Sequence, residues 1–264
     1  MLRLGLVLAA FVSAAPVYIA ALWLIDRLGL PGRRPLTVGY CRLLCALLRV
    51  RIRAVGRPLI GRPALVLCNH VSWLDIPVLA TTGLHTFVAK REVASWPIVG
   101  LTARLQRTVF VDRARRAQTA QVNAAIARRL SAGDPVVLFA EGTSSDGNRV
   151  LGFRSALLGA LCQAGLPDGV PLQPASIGYT HVHGVPMGRR HRPLVAWYGD
   201  LEFMPHFIEL VRNGPYDVTV RFGEPIAFDS YADRKAVARS LEAAVRRLTA
   251  STLRAREPAP MQAA

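Results

Sequence analysis

The chain has 264 residues and a hydrophobic content of 52%, high for a freely soluble protein, with a formal charge of +16 and a pI near 11.1. That length holds one sizeable α/β domain with an appendage and excludes two comfortable catalytic domains. The charge calls for a polyanionic partner. An anionic lipid surface fits best and nucleic acid least, because no helix-turn-helix, zinc-finger or aromatic RNA-binding pattern accompanies the arginines.

Residues 4–25 carry no charge, and as a helix they would extend about 33 Å, roughly the hydrocarbon thickness of a bilayer. Pro16 interrupts this run, and a second mostly apolar segment, residues 40–50, follows Pro31-Gly32-Arg33-Arg34-Pro35. A single spanning helix and a monotopic or re-entrant pair both fit that pattern. Arg27, Arg33 and Arg34 outnumber the early Arg3, which by the positive-inside rule would leave the body of the protein in the cytoplasm. A cleaved signal peptide fits less well, because the apolar run is long and no cleavage site precedes the next helix-like segment. The expected division is residues 1–55 as membrane-associated helices, 56–250 as the catalytic domain and 251–264 as a disordered tail.

Cys41, Cys45, Cys68 and Cys162 show neither a paired spacing nor a zinc-ligand spacing, and read as reduced, small core residues. Beyond the amino-terminal segments, strands and helices alternate. Residues 64–68, 108–111 and 136–139 read as strands that end in polar residues: His70, then Asp112-Arg113, then Glu141-Gly142-Thr143. Val122, Ile126 and Leu130 repeat at helical spacing between the second and third of these, with Gly133 as the stop. Residues 172–179, 194–198 and 218–222 continue the strand pattern. Val237, Leu241, Val245 and Leu248 give one apolar face to a closing helix that begins near Asp229-Ser230. The fold class is α/β, a mostly parallel sheet flanked by helices behind a hydrophobic helical anchor. In such sheets ligands bind beyond the carboxyl ends of the strands, so the three polar groups are expected to converge on one crevice.

Asn69-His70-Val71-Ser72-Trp73-Leu74-Asp75 follows the first of these strands. On a continuous helix five residues turn a side chain by roughly 140°, so His70 and Asp75 meet only across a turn. Ser72 is placed as the cap of a helix through Trp73, Leu74 and Ile76, with His70 in the loop before it. Two readings follow. His70 is a general base whose tautomer Asp75 fixes, or His70 caps a turn and Asp75 merely complements a helix dipole.

Four blocks in order resemble the glycerolipid acyltransferase superfamily, typified by the 1-acylglycerol-3-phosphate acyltransferases. They are Asn69-His70 with Asp75, Val109-Phe110-Val111-Asp112-Arg113, Phe139-Ala140-Glu141-Gly142-Thr143, and Val170-Pro171-Leu172-Gln173-Pro174. The resemblance spans residues 64–177, and the hydrophobic amino end also matches. It implies a catalytic dyad of His70 and Asp75, an acceptor site that includes Arg113, Glu141, Gly142 and Thr143, and a wall shaped by Pro171. The chain departs from the family in one place: Ser144 stands where an arginine is usual. A guanidinium clamps phosphate in a bidentate way that serine cannot reproduce, so weaker recognition of a phosphate monoester is expected.

The run from Glu141 through Leu157, with Arg192-Pro193-Leu194-Val195-Ala196-Trp197-Tyr198-Gly199-Asp200, resembles the bacterial branch that includes lyso-ornithine lipid acyltransferases. Its acceptor carries an amino-acid head group without phosphate. The reaction implied is direct O-acyl transfer from an acyl carrier protein or coenzyme A thioester to a lysolipid, with lysophosphatidate as the alternative acceptor and Arg149 or Arg154 as its phosphate contact. Backbone amides of the Gly142-Thr143 turn are the candidate oxyanion donors. No cofactor beyond the acyl donor is expected, since no phosphate-cradling or dinucleotide fingerprint is present. A serine esterase would need a nucleophile elbow that the sequence lacks, and Cys68 lies inside a strand pattern that disfavours a thiol nucleophile. His181 and His183 alternate as strand ligands would, without a third ligand, and read as a polar loop. His85, His191 and His206 carry no assignment.

Overall fold

The computed structural model describes residues 2–84, 86–96, 99–111, 119–163, 166, 169–228 and 233–254. Helices α1 (Leu2–Leu28) and α2 (Arg33–Leu47) precede strand β1 (Val50–Val55). Then come β2 (Ala64–Cys68), α3 (Asp75–Ala80), β3 (Thr86–Lys90), α4 (Val99–Leu105), β4 (Val109–Val111), α5 (Thr119–Ser131) and β5 (Pro135–Phe139). A 3₁₀ segment, Ser155–Cys162, leads to β6 (Pro171–Val182) and the short β7 (Val185–Pro186). The chain closes with α6 (Phe203–Asn213), β8 (Tyr216–Phe222), the short β9 (Ile226–Ala227) and α7 (Arg234–Arg254).

The strands form one sheet in the order β1-β8-β6-β2-β5-β3-β4, with β7 and β9 paired to β6. Every pairing along that path is parallel except β6 against β8. The mostly parallel expectation is met, and the fold is the α/β one anticipated. β2 is central and wholly buried, which explains why it reads as an unbroken apolar run rather than an alternating one.

Alternation along β2 still assigns its residues to two layers. Val66 and Cys68 pack with α1, α2, α3 and α6, through residues such as Leu22, Cys45, Leu79 and Leu210. Leu65 and Leu67 pack with α5, the 3₁₀ segment and α7, through Ile126, Leu158 and Leu241. The sheet therefore separates the amino-terminal helices from the carboxyl-terminal one.

Helix α1 is not a free appendage. Val7, Ala15, Tyr18 and Leu22 are buried against the body, while Leu6, Val12, Val17, Trp23, Leu24 and Leu28 are exposed. The Tyr18 hydroxyl meets Thr37 Oγ1 at 3.0 Å and accepts from Gln106 Nε2 at 3.1 Å, and its ring stacks on Tyr40 with centroids 4.0 Å apart. Arg33 in α2 pairs with Asp26 and donates to the carbonyl of Leu105.

Several boundaries differ from the sequence expectation. Residues 50–55 form β1, paired with β8, so the membrane-associated hairpin gives way to the sheet before residue 55. Residues 194–198 are not a strand: a 3₁₀ turn, Arg192–Leu194, is followed by irregular chain, with the N–H groups of Leu194, Val195 and Ala196 closing back on His191 and Arg192 and that of Trp197 bonding to Val71. Helix α7 runs on through Arg254 and takes the first four residues of the expected tail; residues 255–264, like the Asp229-Ser230 start expected for that helix, lie outside the described residues. Gly133 stops α5 as expected, at φ 85°, a value that favours glycine.

Candidate active site

Past the carboxyl end of β2 the chain turns sharply, and Asn69 fixes the turn. Its side-chain amide donates to the carbonyl of Ile177 at 3.0 Å and accepts from the same residue's N–H at 2.9 Å. In effect it continues the β2–β6 ladder by one rung after Cys68, which pairs with Ala175.

His70 follows, in the loop where the sequence placed it. Its Nδ1 lies 2.8 Å from Asp75 Oδ2, and its ring stacks on Phe139 with centroids 4.0 Å apart. Asp75 is fully buried as the first residue of α3. Its Oδ2 also accepts the N–H groups of Val71 and Ser72, at 2.7 and 3.0 Å, and its Oδ1 accepts the Tyr179 hydroxyl at 2.8 Å. The carboxylate therefore both orders the turn and grips the imidazole, the contact that the first reading of this stretch requires. Ser72 is not the cap. Helix α3 begins at Asp75 with Leu74 in the capping position, and the Ser72 hydroxyl is buried without a partner among the described residues.

A carboxylate acceptor on Nδ1 leaves Nε2 as the basic nitrogen of neutral His70. The imidazole side chain retains 12% exposure, so an approach from outside remains open.

Glu141, just past β5, joins the same place: its Oε1 lies 3.4 Å from the His70 amide, and its Oε2 is buried without a partner. Burial pushes its carboxyl up from 4.5 to about 8, and the Asp75 charge adds to the rise. This buried acid thus sits against the backbone of the histidine loop, within reach of the His70 amide. Gly142 adopts φ 71°, and a Cβ there would come within 2.8 Å of Arg154 Nε, so glycine lets that guanidinium lie over the turn. The amide of Gly142 donates to the carbonyl of Phe139 at 3.0 Å, which removes it as an oxyanion donor. Thr143 is exposed and Ser144 partly buried.

Ser144 Oγ donates to the carbonyl of Trp197, and the Trp197 N–H donates to the carbonyl of Val71 at 2.9 Å. The segment read from sequence as a strand is thus a strap that ties the β5 loop to the histidine loop. Ser145 adds a second tie through its N–H to the carbonyl of His70 at 2.9 Å. The indole of Trp73 donates to His206 Nδ1 of α6 at 3.0 Å, giving His206 a place that sequence reasoning missed.

One predicted site residue is not brought here. Pro171 begins β6 and pairs with Ala227 of β9; the next residue, Leu172, is level with Leu65, so Pro171 sits near the amino end of β2, away from His70. Strand β6 instead reaches the site through residues beyond the proline block, Ile177 and Tyr179, because it runs parallel to β2. Arg113, with Asp112, lies outside the described residues.

The remaining polar candidates resolve as structural. His181 is buried in β6 with Nδ1 3.0 Å from Thr180 Oγ1 and 3.8 Å from Asp217 Oδ2, while His183 is exposed in the turn that follows. Cys68 is a buried thiol pushed well up by burial, unsuited to nucleophilic attack. Cys162, expected in the core, is exposed.

A histidine gripped by a buried carboxylate at the carboxyl end of a central strand, behind an apolar amino-terminal helix, accords with the acyltransferase family, whose model matches residues 49–178. The chain belongs to that family and is an acyltransferase. Its relatives narrow the class. It is 48% identical over 260 residues, 97% of either chain, to a lyso-ornithine lipid O-acyltransferase of Brucella abortus. It is 45% identical to another from Rhizobium meliloti, over 93% of this chain and 86% of that one. Among solved structures, the 1-acyl-sn-glycerophosphate acyltransferase of Thermotoga maritima shares the fold with a TM-score of 0.65, at 23% identity over 96% of this chain and 98% of its own. With relatives named as lipid acyltransferases and, among the described residues, one helix long and apolar enough to cross a membrane, the enzyme is membrane-associated.

Proposed function

We propose that the enzyme transfers a fatty acyl chain from an acyl thioester to the hydroxyl of lyso-ornithine lipid, giving ornithine lipid, with His70 as the general base. The observation that carries the mechanism is the 2.8 Å contact between His70 Nδ1 and Asp75 Oδ2. His70 Nε2 takes the proton of the acceptor hydroxyl as that oxygen attacks the thioester carbonyl. The tetrahedral intermediate then expels the thiolate, which recovers the proton from the imidazolium that Asp75 stabilises. General-base catalysis contributes about 10²–10⁴-fold, and positioning supplies much of the rest. No acyl-enzyme and no cofactor beyond the acyl donor are required.

The acceptor assignment rests on the long relatives and on Ser144. With its hydroxyl committed to Trp197, Ser144 offers no cation for a phosphate monoester. Arg154, over Gly142, is one guanidinium near the site and matches the single carboxylate of an amino-acid head group. The same residue is what a lysophosphatidate acceptor would have to use, and it keeps that second reading in play.

The packed and exposed faces of α1 favour a helix that lies in the membrane plane, with the body on the cytoplasmic side of the inner membrane. His70 and α1 belong to the same side of the sheet, which favours delivery of the lipid acceptor from that side. Helix α7, in the opposite layer, exposes Arg234, Lys235, Arg239, Arg246, Arg247 and Arg254 against one acidic residue, Glu242. That basic face suits an acidic acyl carrier protein as donor.

Purified enzyme assayed with lyso-ornithine lipid and lysophosphatidate, each with carrier-protein and coenzyme A thioesters, tests the proposal. Preference for lyso-ornithine lipid is expected. Preference for lysophosphatidate overturns the acceptor, and near-full activity in a folded His70→Ala enzyme overturns the mechanism.

A further inference from the structure

We propose that Tyr179 is a positioning residue for the dyad, acting through Asp75 alone; the inference rests on the reading of His70 as the base. The Asp75 carboxylate is fully buried, and none of its hydrogen-bond partners is a lysine or arginine. Its charge is held by four donors: the imidazole N–H, the amides of Val71 and Ser72, and the Tyr179 hydroxyl. Three of these converge on Oδ2. Among the described residues the phenol is the single partner of Oδ1, and the single donor that comes from another element of the sheet.

That division has two consequences. A carboxylate gripped at one oxygen can rotate about its terminal bond, whereas one gripped at both has its plane fixed, so Tyr179 keeps Oδ2 aimed at Nδ1. The phenol also draws charge toward Oδ1, and so limits how strongly Oδ2 holds the imidazole N–H. Removing it leaves Oδ1 buried without a partner and concentrates charge on the histidine side.

Tyr179 is itself fixed for the task. It lies two residues beyond Ile177, whose backbone holds Asn69, so one stretch of β6 grips both ends of the histidine loop. Gly178 between them faces Thr252 of α7, on the other side of the sheet. The titratable groups near Asp75 are His70, Cys68 and Glu141, and Cys45 of α2 faces Tyr179. Cys68 and Cys45 are buried thiols pushed above their ordinary range, and Glu141 is raised to about 8, so none of them titrates on the acid side of neutrality.

The test is Tyr179→Phe, which removes the hydroxyl and keeps the ring. A kcat loss of about tenfold to a hundredfold is expected, the size of one hydrogen bond to a charged group, with KM for the lysolipid nearly unchanged. The acid limb of the kcat/KM profile should move to higher pH, because the carboxylate then stabilises the imidazolium more strongly. In an Asp75→Asn background the same change should have little further effect, since the partner charge is gone. Replacing Tyr179 with 3-fluorotyrosine preserves the fold, strengthens the donor and should move the acid limb the opposite way. An unmoved limb in both variants, or a full Tyr179→Phe loss persisting in Asp75→Asn, overturns the proposal. A His70→Ala enzyme that stays active sinks the underlying mechanism instead, which separates the two failures.

Discussion

Ser144 donates its hydroxyl hydrogen to the carbonyl oxygen of Trp197, and that bond joins the loop after β5 to the strap over the histidine loop. Residue 144, where the family resemblance leads one to expect an arginine, is here part of the scaffold. A longer, charged side chain at 144 cannot make the same bond and must displace the strap. Ser144→Arg is therefore expected to lower stability by about 1 kcal/mol or more and to reduce activity on lyso-ornithine lipid, without creating efficient use of lysophosphatidate. Thermal denaturation and paired acceptor assays check this; a clean switch of acceptor would show that residue 144 alone sets head-group choice.

Asn69 is held by both backbone groups of Ile177, a geometry that only a side-chain amide satisfies. Asn69→Asp loses the donor, sets an acceptor against the Ile177 carbonyl and buries a charge. A loss of roughly 2–4 kcal/mol in stability is expected, with activity falling because the His70 loop loosens. Urea unfolding gives the first number, and a variant as stable as the wild type would show that the ladder extension contributes little.

These two residues also show where sequence reading succeeds and stops. His70 and Asp75 were legible because short-range spacing and an apolar strand before them constrain the chemistry. That β2, β4 and β5 are strands of a mostly parallel sheet was legible because buried strands read as apolar runs, whereas β3, which lies between β5 and β4, was not. The partners from afar were not. Tyr179 looks like any aromatic on a strand, and its hydroxyl acquires a purpose only once β6 lies beside β2. Residues 194–198 carry strand-like composition, yet their N–H groups close a turn on His191 and Arg192 or, at Trp197, tie to Val71, and form no ladder. Pro171 was drawn to the site by its block, although register places it near the far end of β2.

Glu141 makes stability depend on pH. Its carboxyl stands near 4.5 when unfolded and about 8 in the fold, so the folded state holds the extra proton between those values. Stability is then greatest below about pH 4.5 for this group and declines as pH rises toward 8, by on the order of a few kcal/mol in all. Glu141→Gln mimics the protonated acid and should flatten that decline. Melting temperatures of both proteins from pH 5 to 9 provide the comparison, and parallel curves would mean that Glu141 is already ionised at the lower end.

The basic face of α7 yields the most direct test of the donor. Arg239, Arg247 and Arg254 are exposed there, whereas Arg246 pairs with Glu242 and bears on Glu141. Reversing the first three to glutamate leaves the dyad and the α1 face untouched. If an acidic carrier protein docks on α7, its KM should rise about tenfold at low salt, with kcat preserved and the difference shrinking as ionic strength screens the contact. Coenzyme A, a small anion without an extended acidic surface, should be affected less. Membrane attachment provides the control, because α1 holds the chain through apolar contact that salt does not weaken: the triple variant should remain in the membrane fraction after a high-salt wash. Equal KM values for carrier-protein donor in the two enzymes would remove α7 as its docking face.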